Sequence, residues 1–141
     1  MIESCFTYGS LMWADIMARV CGGVLPSEAA RLPGHSRHPV RGEDYPGLRP
    51  AEGGVVDGRL YRGIAAAQWA RLDAFEGSDY ERVPVTVELS DGRAETACVY
   101  RFRAELVARL LPGDWDPQLF ESEGRERFLA RYAAFAAPSA G

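Results

Sequence analysis

The stretch "LDAFEGSDYERVPV", residues 72–85, joins a helical pattern to a strand pattern and decides how the fold is interpreted. Apolar residues recur at three-residue steps from Trp69 to Phe75, which predicts a helix with one apolar face. Gly77 suits the end of this helix, because glycine adopts the left-handed conformation at little cost. The helix would therefore end beside an acidic residue, Glu76, at the pole where its dipole disfavours negative charge.

The segment that follows, "ERVPVTVEL" at 81–89, alternates apolar and polar residues, as a half-buried strand does. Its apolar residues fall on one face: Val83, Val85, Val87 and Leu89. An Asp-Gly turn in "SDGR" and a second alternating segment, "AETACVYRF" at 94–102, complete a predicted β-hairpin. Pro84 predicts an edge position or a bulge in the first strand, since proline has no N–H to donate.

Upstream of this hairpin the sequence predicts shorter elements. "SCFTYGS" at 4–10 predicts a first strand, and "LMWADIMARVCGG" at 11–23 predicts a short amphipathic helix stopped by its Gly-Gly end. Residues 26–54 are rich in proline and glycine, so we expect loops with a short strand or two. Residues 53–64 predict a strand pair or a bent strand, with Gly58 at a bulge or crossing.

At the C-terminus, "RERFLARYAAFAA" at 125–137 predicts a helix, followed by a frayed "PSAG" end. The residues of this helix expected to face inward are Phe128, Leu129, Tyr132 and Phe135. The chain shows no internal repeat and no linker. We therefore expect one mixed α+β domain over residues 1–141.

Charge and composition exclude several classes of function. The net charge is −4 and all 16 basic residues are scattered arginines, whereas a nucleic-acid-binding surface needs clustered positive charge. No apolar run approaches the roughly 20 residues of a membrane-spanning helix. The three cysteines form no CxxC pair, which disfavours a disulfide framework or a zinc knuckle and fits a reducing compartment. With no signal-peptide pattern, we expect a cytoplasmic protein that is a monomer or a weak homodimer.

Glu76 admits two interpretations. At the end of the predicted helix its carboxylate borders the apolar face that carries Leu72. Burial there, together with the helix dipole, would raise the pKa of the carboxyl and suit it to taking and returning protons near neutral pH. An exposed acid at a fraying helix end explains the same residues without any function.

The stretch "YGSL", residues 8–11, predicts a turn from a strand into a helix. Such a turn presents backbone N–H groups that can bind a carboxylate or another anion, and Gly9 would let a ligand approach the backbone. An ordinary turn with Ser10 as the N-cap is the alternative. A nucleophilic role for Ser10 lacks a GxSxG motif.

Other candidate residues carry weaker signals. His35 and His38 lie near Glu43 and Asp44, but neither an HExxH motif nor a cysteine pattern supports a metal site. Tyr45, in "YPGLRP", is a candidate pocket residue. Tyr80 and Arg82 follow Glu76 closely and are candidates for either the pocket or its rim.

The order of the motifs resembles a known family. The motifs are "FTYGSLM" at 6–12, "YPGLRP" at 45–50, "VDGRLYRG" at 56–63, "LDAFEGSDYERVPV" at 72–85 and "ACVYRF" at 97–102. In this order they resemble the γ-glutamylcyclotransferase-like family, most closely its AIG2-like branch, over roughly residues 4–103. The pairing of "YGSL" with "DAFEGSDYER" is the most specific part. The resemblance implies an α+β fold: a small mixed β-barrel, closed or nearly closed, flanked by short helices.

The resemblance also implies roles for residues. Glu76 would be the proton-transfer residue, and Tyr80 would line the pocket. The substrate would be held largely by backbone groups of Tyr8, Gly9, Ser10 and Leu11. Ser10 stands where many relatives have threonine. Leu11-Met12 replaces the Asn-Leu of the glutathione-pathway enzymes, which argues against glutathione-cycle substrates.

The implied reaction needs no metal or cofactor. The α-amine of a γ-glutamyl amine or amide attacks its own γ-carbonyl, releasing 5-oxoproline and a free amine, with Glu76 as the proton shuttle. Two alternatives stay open. The same fold could bind a small metabolite without turnover, or it could catalyse a different acyl transfer in the same cavity.

Overall fold

The computed structural model describes residues 1–136, and the side chains of residues 1–132. The sequence predictions for the side chain of Phe135 and for residues 137–141 lie outside this described part. In chain order the strands are β1 (Cys5–Thr7), β2 (Ser27–Pro39), β3 (Pro46–Tyr61), β4 (Tyr80–Leu89) and β5 (Ala94–Phe102). The helices are α1 (Ala14–Cys21), α2 (Ala66–Glu76), α3 (Pro117–Leu119) and α4 (Arg125–Ala136). A π-helical turn, Phe120–Gly124, joins α3 to α4, and 3₁₀ turns cover Ser10–Met12 and Ala104–Arg109.

The five strands form a closed barrel in the order β1–β3–β2–β4–β5. β1 closes it by pairing antiparallel with β3 and parallel with β5, so that Cys5 is opposite Tyr61 on one side and Cys98 on the other. The sheet is therefore mixed, and short helices lie on its outside. The predicted α+β class, a small mixed β-barrel flanked by short helices, is confirmed.

The hairpin predicted next to the opening stretch is confirmed as β4 and β5. The two strands pair from Tyr80 opposite Phe102 to Glu88 opposite Ala94. The Asp-Gly turn is closed by the Leu89 N–H, which donates to the Arg93 carbonyl at 2.8 Å. On its other side β4 meets β2 only at Glu88 and Leu89. Pro84 consequently lies on a free edge, as its missing N–H requires.

The loops expected over residues 26–54 are wrong. β2 and β3 are long strands that pair with each other almost throughout, and only a short turn separates them. The prolines are tolerated because they lie where the pairing ends or is irregular. Pro39 is opposite Pro46 at the closed end of the hairpin, and the register shifts between Pro33 and His35. Gly34 occupies that irregularity with φ +77°, a conformation that favours glycine.

Two buried clusters lie on either side of the sheet. The first consists of strand residues and Tyr8 and fills the barrel; its best-buried members include Phe6, Leu32, Leu48, Leu60, Val87 and Val99. The second lies between the barrel and the helices and includes Cys5, Ile16, Met17, Trp69, Leu72 and Phe120. Burying a large apolar side chain is worth about 1.5–3 kcal/mol, so this second cluster fixes the helices on the barrel.

Both N-terminal helices end at glycines, as predicted. Gly22 ends α1 with φ +80°, and Gly77 ends α2 with φ +80°. The chain can therefore turn from α2 into β4 within three residues, which holds the end of α2 against the barrel mouth. Across residues 1–136, the helices are all too short or too polar to span a bilayer.

Candidate active site

Glu76 is the last residue of α2, and its carboxylate is enclosed by protein. Burial raises the pKa of this carboxyl from its ordinary 4.5 to about 8. The residue as a whole is half-buried and lines two small cavities. The interpretation as an exposed acid is therefore wrong, and the expected direction of the pKa shift is confirmed.

The Tyr8–Leu11 loop carries the chain from β1 into the first 3₁₀ turn. Within the described part of the chain, the backbone N–H groups of Gly9, Ser10 and Leu11 have no acceptor. The 3₁₀ turn begins at Ser10 and no side chain caps it, so the interpretation of Ser10 as the N-cap is wrong. These donors are available to a ligand.

The loop is anchored through its carbonyl groups. Arg37 Nη1 donates to the Tyr8 carbonyl oxygen at 2.9 Å, and the Tyr61 hydroxyl donates to the Leu11 carbonyl oxygen at 2.8 Å. Gly9 lies so close to Pro46 that a Cβ atom at this position would be 2.7 Å from the Pro46 Cδ. Only glycine therefore fits where the loop passes β3.

A first cavity of about 40 Å³, called the loop cavity, lies between this loop and α2. It is lined by Phe6–Leu11, Pro46, Glu76 and Tyr100. The structure thus brings the four loop residues and Glu76 to one space.

A second cavity, also of about 40 Å³, borders Glu76 and is called the aromatic cavity. Its walls are five aromatic side chains, Tyr45, Phe75, Tyr80, Phe128 and Tyr132, together with Ser10 and Glu76. Ser10 and Glu76 line both cavities. A molecule that reacts beside Glu76 can therefore place one part in each.

The hydroxyl groups of the two tyrosines predicted for the site serve the structure. Tyr8 donates to the Tyr100 carbonyl oxygen at 2.5 Å, and Tyr80 donates to the Pro46 carbonyl oxygen at 2.7 Å. Burial raises the pKa of both hydroxyls well above 10. Both therefore stay protonated, which leaves Glu76 as the group lining both cavities that titrates near neutral pH.

A hydrogen-bond network fixes the turn of α2 that presents Glu76. The Tyr100 hydroxyl donates to Asp73 Oδ1 at 2.6 Å, and Arg82 Nε lies 3.6 Å from the same oxygen. The Arg82 guanidinium also lies 4.5 Å from the centre of the Trp69 ring. Arg82 therefore belongs to the support of α2 and does not line either cavity.

Comparison with known proteins identifies the family. The family described as "Gamma-glutamyl cyclotransferase, AIG2-like" matches residues 5–117. The chain belongs to this family. AIG2-like protein D of Arabidopsis thaliana is 32% identical over 136 residues, covering 96% of this chain and 90% of the relative.

Solved structures agree with this assignment. A protein of Arabidopsis thaliana solved in solution has a TM-score of 0.73 and 26% identity, covering 92% of this chain and 87% of the other. A solved γ-glutamyl cyclotransferase has a TM-score of 0.65 and 18% identity, covering 72% of this chain and 66% of the other, and thus shares the fold.

Several lining residues of this AIG2-like member were not found from the sequence. The sequence predicts Phe128 and Tyr132 only as inward-facing residues of a helix, and it indicates no role for Tyr100 or Pro46. Nothing in their local sequence marks them, because the barrel brings them to Glu76 from separate elements. Tyr45, noted as a candidate pocket residue, does line the aromatic cavity.

The two histidines of this AIG2-like chain have structural partners. His38 Nδ1 lies 3.0 Å from the Gly113 carbonyl oxygen and its Nε2 lies 2.7 Å from Ser36 Oγ, whereas His35 Nδ1 lies 3.1 Å from the Pro33 carbonyl oxygen. Among the described residues, no group of three or more histidine, cysteine or acidic side chains is arranged to hold a metal ion.

Proposed function

We propose that this AIG2-like protein is a γ-glutamyl cyclotransferase that converts a γ-glutamyl amine or amide into 5-oxoproline and a free amine. One observation carries the proposal: Glu76, whose carboxyl has a pKa of about 8, lines the loop cavity together with Gly9, Ser10 and Leu11, whose backbone N–H groups have no acceptor among the described residues. A general base suits its task when its pKa is near the working pH. The family and the shared fold support the same reaction class.

The loop cavity would bind the γ-glutamyl group. The N–H groups of Gly9, Ser10 and Leu11 would donate to its α-carboxylate or to the oxyanion that develops on the γ-carbonyl. Holding the chain curled brings the α-amine to its own γ-carbon, and a large part of the rate follows from this positioning. Water-exposed substrate rarely adopts such a geometry.

Glu76 would move two protons in turn through the reaction. The ionised carboxylate first accepts a proton from the substrate's α-ammonium group, and the freed amine attacks the γ-carbonyl carbon. A new C–N bond closes the five-membered ring while the bond to the leaving nitrogen breaks, and Glu76 gives its proton to that nitrogen. The ring nitrogen then loses its surplus proton through the same carboxylate to the released amine, which leaves as an ammonium ion, and the carboxylate is restored.

The aromatic cavity would take the leaving amine, since it is the second cavity that Glu76 lines. Its aromatic walls suit the apolar part of an amine. Cys5, Cys21 and Cys98 are free thiols, which accords with the proposed cytoplasmic location.

The test is Glu76→Gln, assayed for 5-oxoproline against a panel of γ-glutamyl amines and γ-glutamyl dipeptides. Glutamine is nearly isosteric and cannot accept the proton, so we expect a folded protein whose turnover falls by about 10²–10⁴-fold. Glu81→Gln, which changes a carboxylate on β4 outside both cavities, is the matched control and should keep full activity. Full activity in Glu76→Gln would refute the role of Glu76.

The wild-type protein distinguishes the enzyme from a binding module. Release of 5-oxoproline from any member of the panel supports the proposed reaction. No product from the whole panel, together with saturable binding of one member, would instead identify a module that binds a small metabolite without turnover.

A further inference from the structure

Arg37, on β2, holds the first peptide group of the Tyr8–Leu11 loop. Its side chain is only 9% exposed, and Nη1 donates to the Tyr8 carbonyl oxygen at 2.9 Å. Its Nε and Nη2 donate to the two carboxylate oxygens of Asp114 at 2.8 and 3.0 Å. The guanidinium also lies 5.4 Å from the centre of the Trp115 ring. A carboxylate and a ring therefore fix the guanidinium while one N–H reaches the loop.

This contact determines where the next N–H points. The Tyr8 carbonyl and the Gly9 N–H belong to one trans peptide group, in which the C=O and N–H bonds point in opposite directions. Because Arg37 fixes the carbonyl, it also fixes the Gly9 N–H on the opposite side. That N–H has no acceptor within the described part of the chain, and Gly9 lines the loop cavity.

We propose that Arg37, held in place by Asp114, is a positioning residue that aims the Gly9 N–H at the γ-glutamyl substrate. The inference rests on the proposed function, because it assigns a task to a donor of the same cavity. Arginine suits the task better than lysine, since its planar group can bind a carboxylate through two N–H bonds and still donate a third. A transition-state donor stabilises charge only when it is aimed beforehand.

The first experiment compares kcat/KM of the wild type with that of Arg37→Gln, Arg37→Lys and Asp114→Asn on one γ-glutamyl amine. We expect a loss of about 10–100-fold for Arg37→Gln and smaller losses for the other two. Arg62→Gln is the matched control, because Arg62 binds two carboxylates, Glu28 and Glu95, away from the loop. Urea unfolding identifies any variant that is not folded. If Arg37→Gln is not folded, Asp114→Asn still tests the proposal, because this variant keeps Arg37.

Chemical rescue separates positioning from stability. Millimolar guanidinium should restore at least part of the kcat/KM of Arg37→Ala, whereas a merely structural role predicts no recovery. In parallel, the ¹H–¹⁵N signal of Gly9 should shift when 5-oxoproline is added to the wild type and stay unchanged in Arg37→Gln.

The possible failures are distinguishable. Wild type that releases no 5-oxoproline from any substrate would refute the proposed function. If the wild type is active, either of two results would refute the role of Arg37: Arg37→Gln with the kcat/KM of the wild type, or a Gly9 signal of the wild type that does not respond to 5-oxoproline.

Discussion

At the scale of single residues, Glu76 shows how burial changes a side chain's chemistry. Its carboxylate has no hydrogen-bond donor among the described residues, and burial alone raises its pKa to about 8. A carboxylate that accepted hydrogen bonds or paired with an arginine would have a lowered pKa and would be a weak base. The unpaired position therefore keeps this carboxyl basic enough to take a proton near neutral pH.

This raised pKa predicts a dependence of stability on pH. Between pH 4.5 and 8 folded wild type binds a proton at Glu76 that the unfolded chain does not, so its free energy of unfolding falls as pH rises through this window. Glu76→Gln has no titrating carboxyl at this position. The free energy of unfolding of the variant minus that of the wild type should therefore rise by up to about 1.4 kcal/mol per pH unit between pH 4.5 and 8. Urea unfolding of both proteins at several pH values checks this, and parallel profiles would contradict it.

At the scale of elements, α4 completes a cavity that the barrel leaves unfinished. Phe128 is buried against Phe75 of α2, and the centres of these two rings are 6.0 Å apart. The centre of the Tyr132 ring lies 4.7 Å from that of Phe128. α4 lies beyond the segment that matches the family, residues 5–117. Two of the five aromatic walls of the aromatic cavity are therefore contributed by a helix outside that matched segment.

The small volume of the aromatic cavity predicts selection by size. Tyr132 is one of the aromatic walls of this small cavity, so its truncation would enlarge the space for a bulky leaving amine. Tyr132→Ala should raise the ratio of kcat/KM for γ-glutamyl-benzylamine to that for γ-glutamyl-methylamine, by about tenfold. Tyr132→Phe keeps the ring and should keep the wild-type ratio. An unchanged ratio in Tyr132→Ala would place the leaving group elsewhere.

At the scale of the whole molecule, the three residues of β1 close the barrel and lead directly into the Tyr8–Leu11 loop. β1 can lie close to β3 because Gly58 has no side chain. A Cβ atom there would be 2.2 Å from the Thr7 carbonyl oxygen and 2.5 Å from the Phe6 Cζ. Barrel closure and the position of the Tyr8–Leu11 loop therefore depend on the same close approach.

Gly58→Ala should consequently destabilise the fold. The added methyl group forces β1 and β3 apart, and overpacking of this kind costs about 1–3 kcal/mol in the free energy of unfolding. Gly23→Ala is the matched control, because a Cβ atom at Gly23 would have no neighbour within 4 Å. Denaturant unfolding measures both changes, and equal effects of the two substitutions would contradict the role of Gly58.

The sequence by itself determined several local elements and, through the resemblance to a family, predicted the two halves of the candidate site, Glu76 and the Tyr8–Leu11 loop. Periodicity was sufficient for α2 and for the β4–β5 hairpin, because their patterns depend on neighbours in the chain. The strands β2 and β3 were missed, since Pro33 and Gly34 signal loops locally and only the pairing of long strands shows that an irregularity accommodates them. Local composition cannot report such non-local pairing.

Only the tertiary structure decided that Glu76 and the Tyr8–Leu11 loop line one cavity. The pattern around Glu76 fitted an exposed acid as well as a buried one, and the fold resolved this by half-burying the residue beside two cavities. Phe128 and Tyr132 reach it from α4, and Arg37 reaches the Tyr8–Leu11 loop from β2. The physical reason is that burial, and with it the pKa of Glu76, depends on atoms that are distant in sequence and adjacent only in the closed barrel.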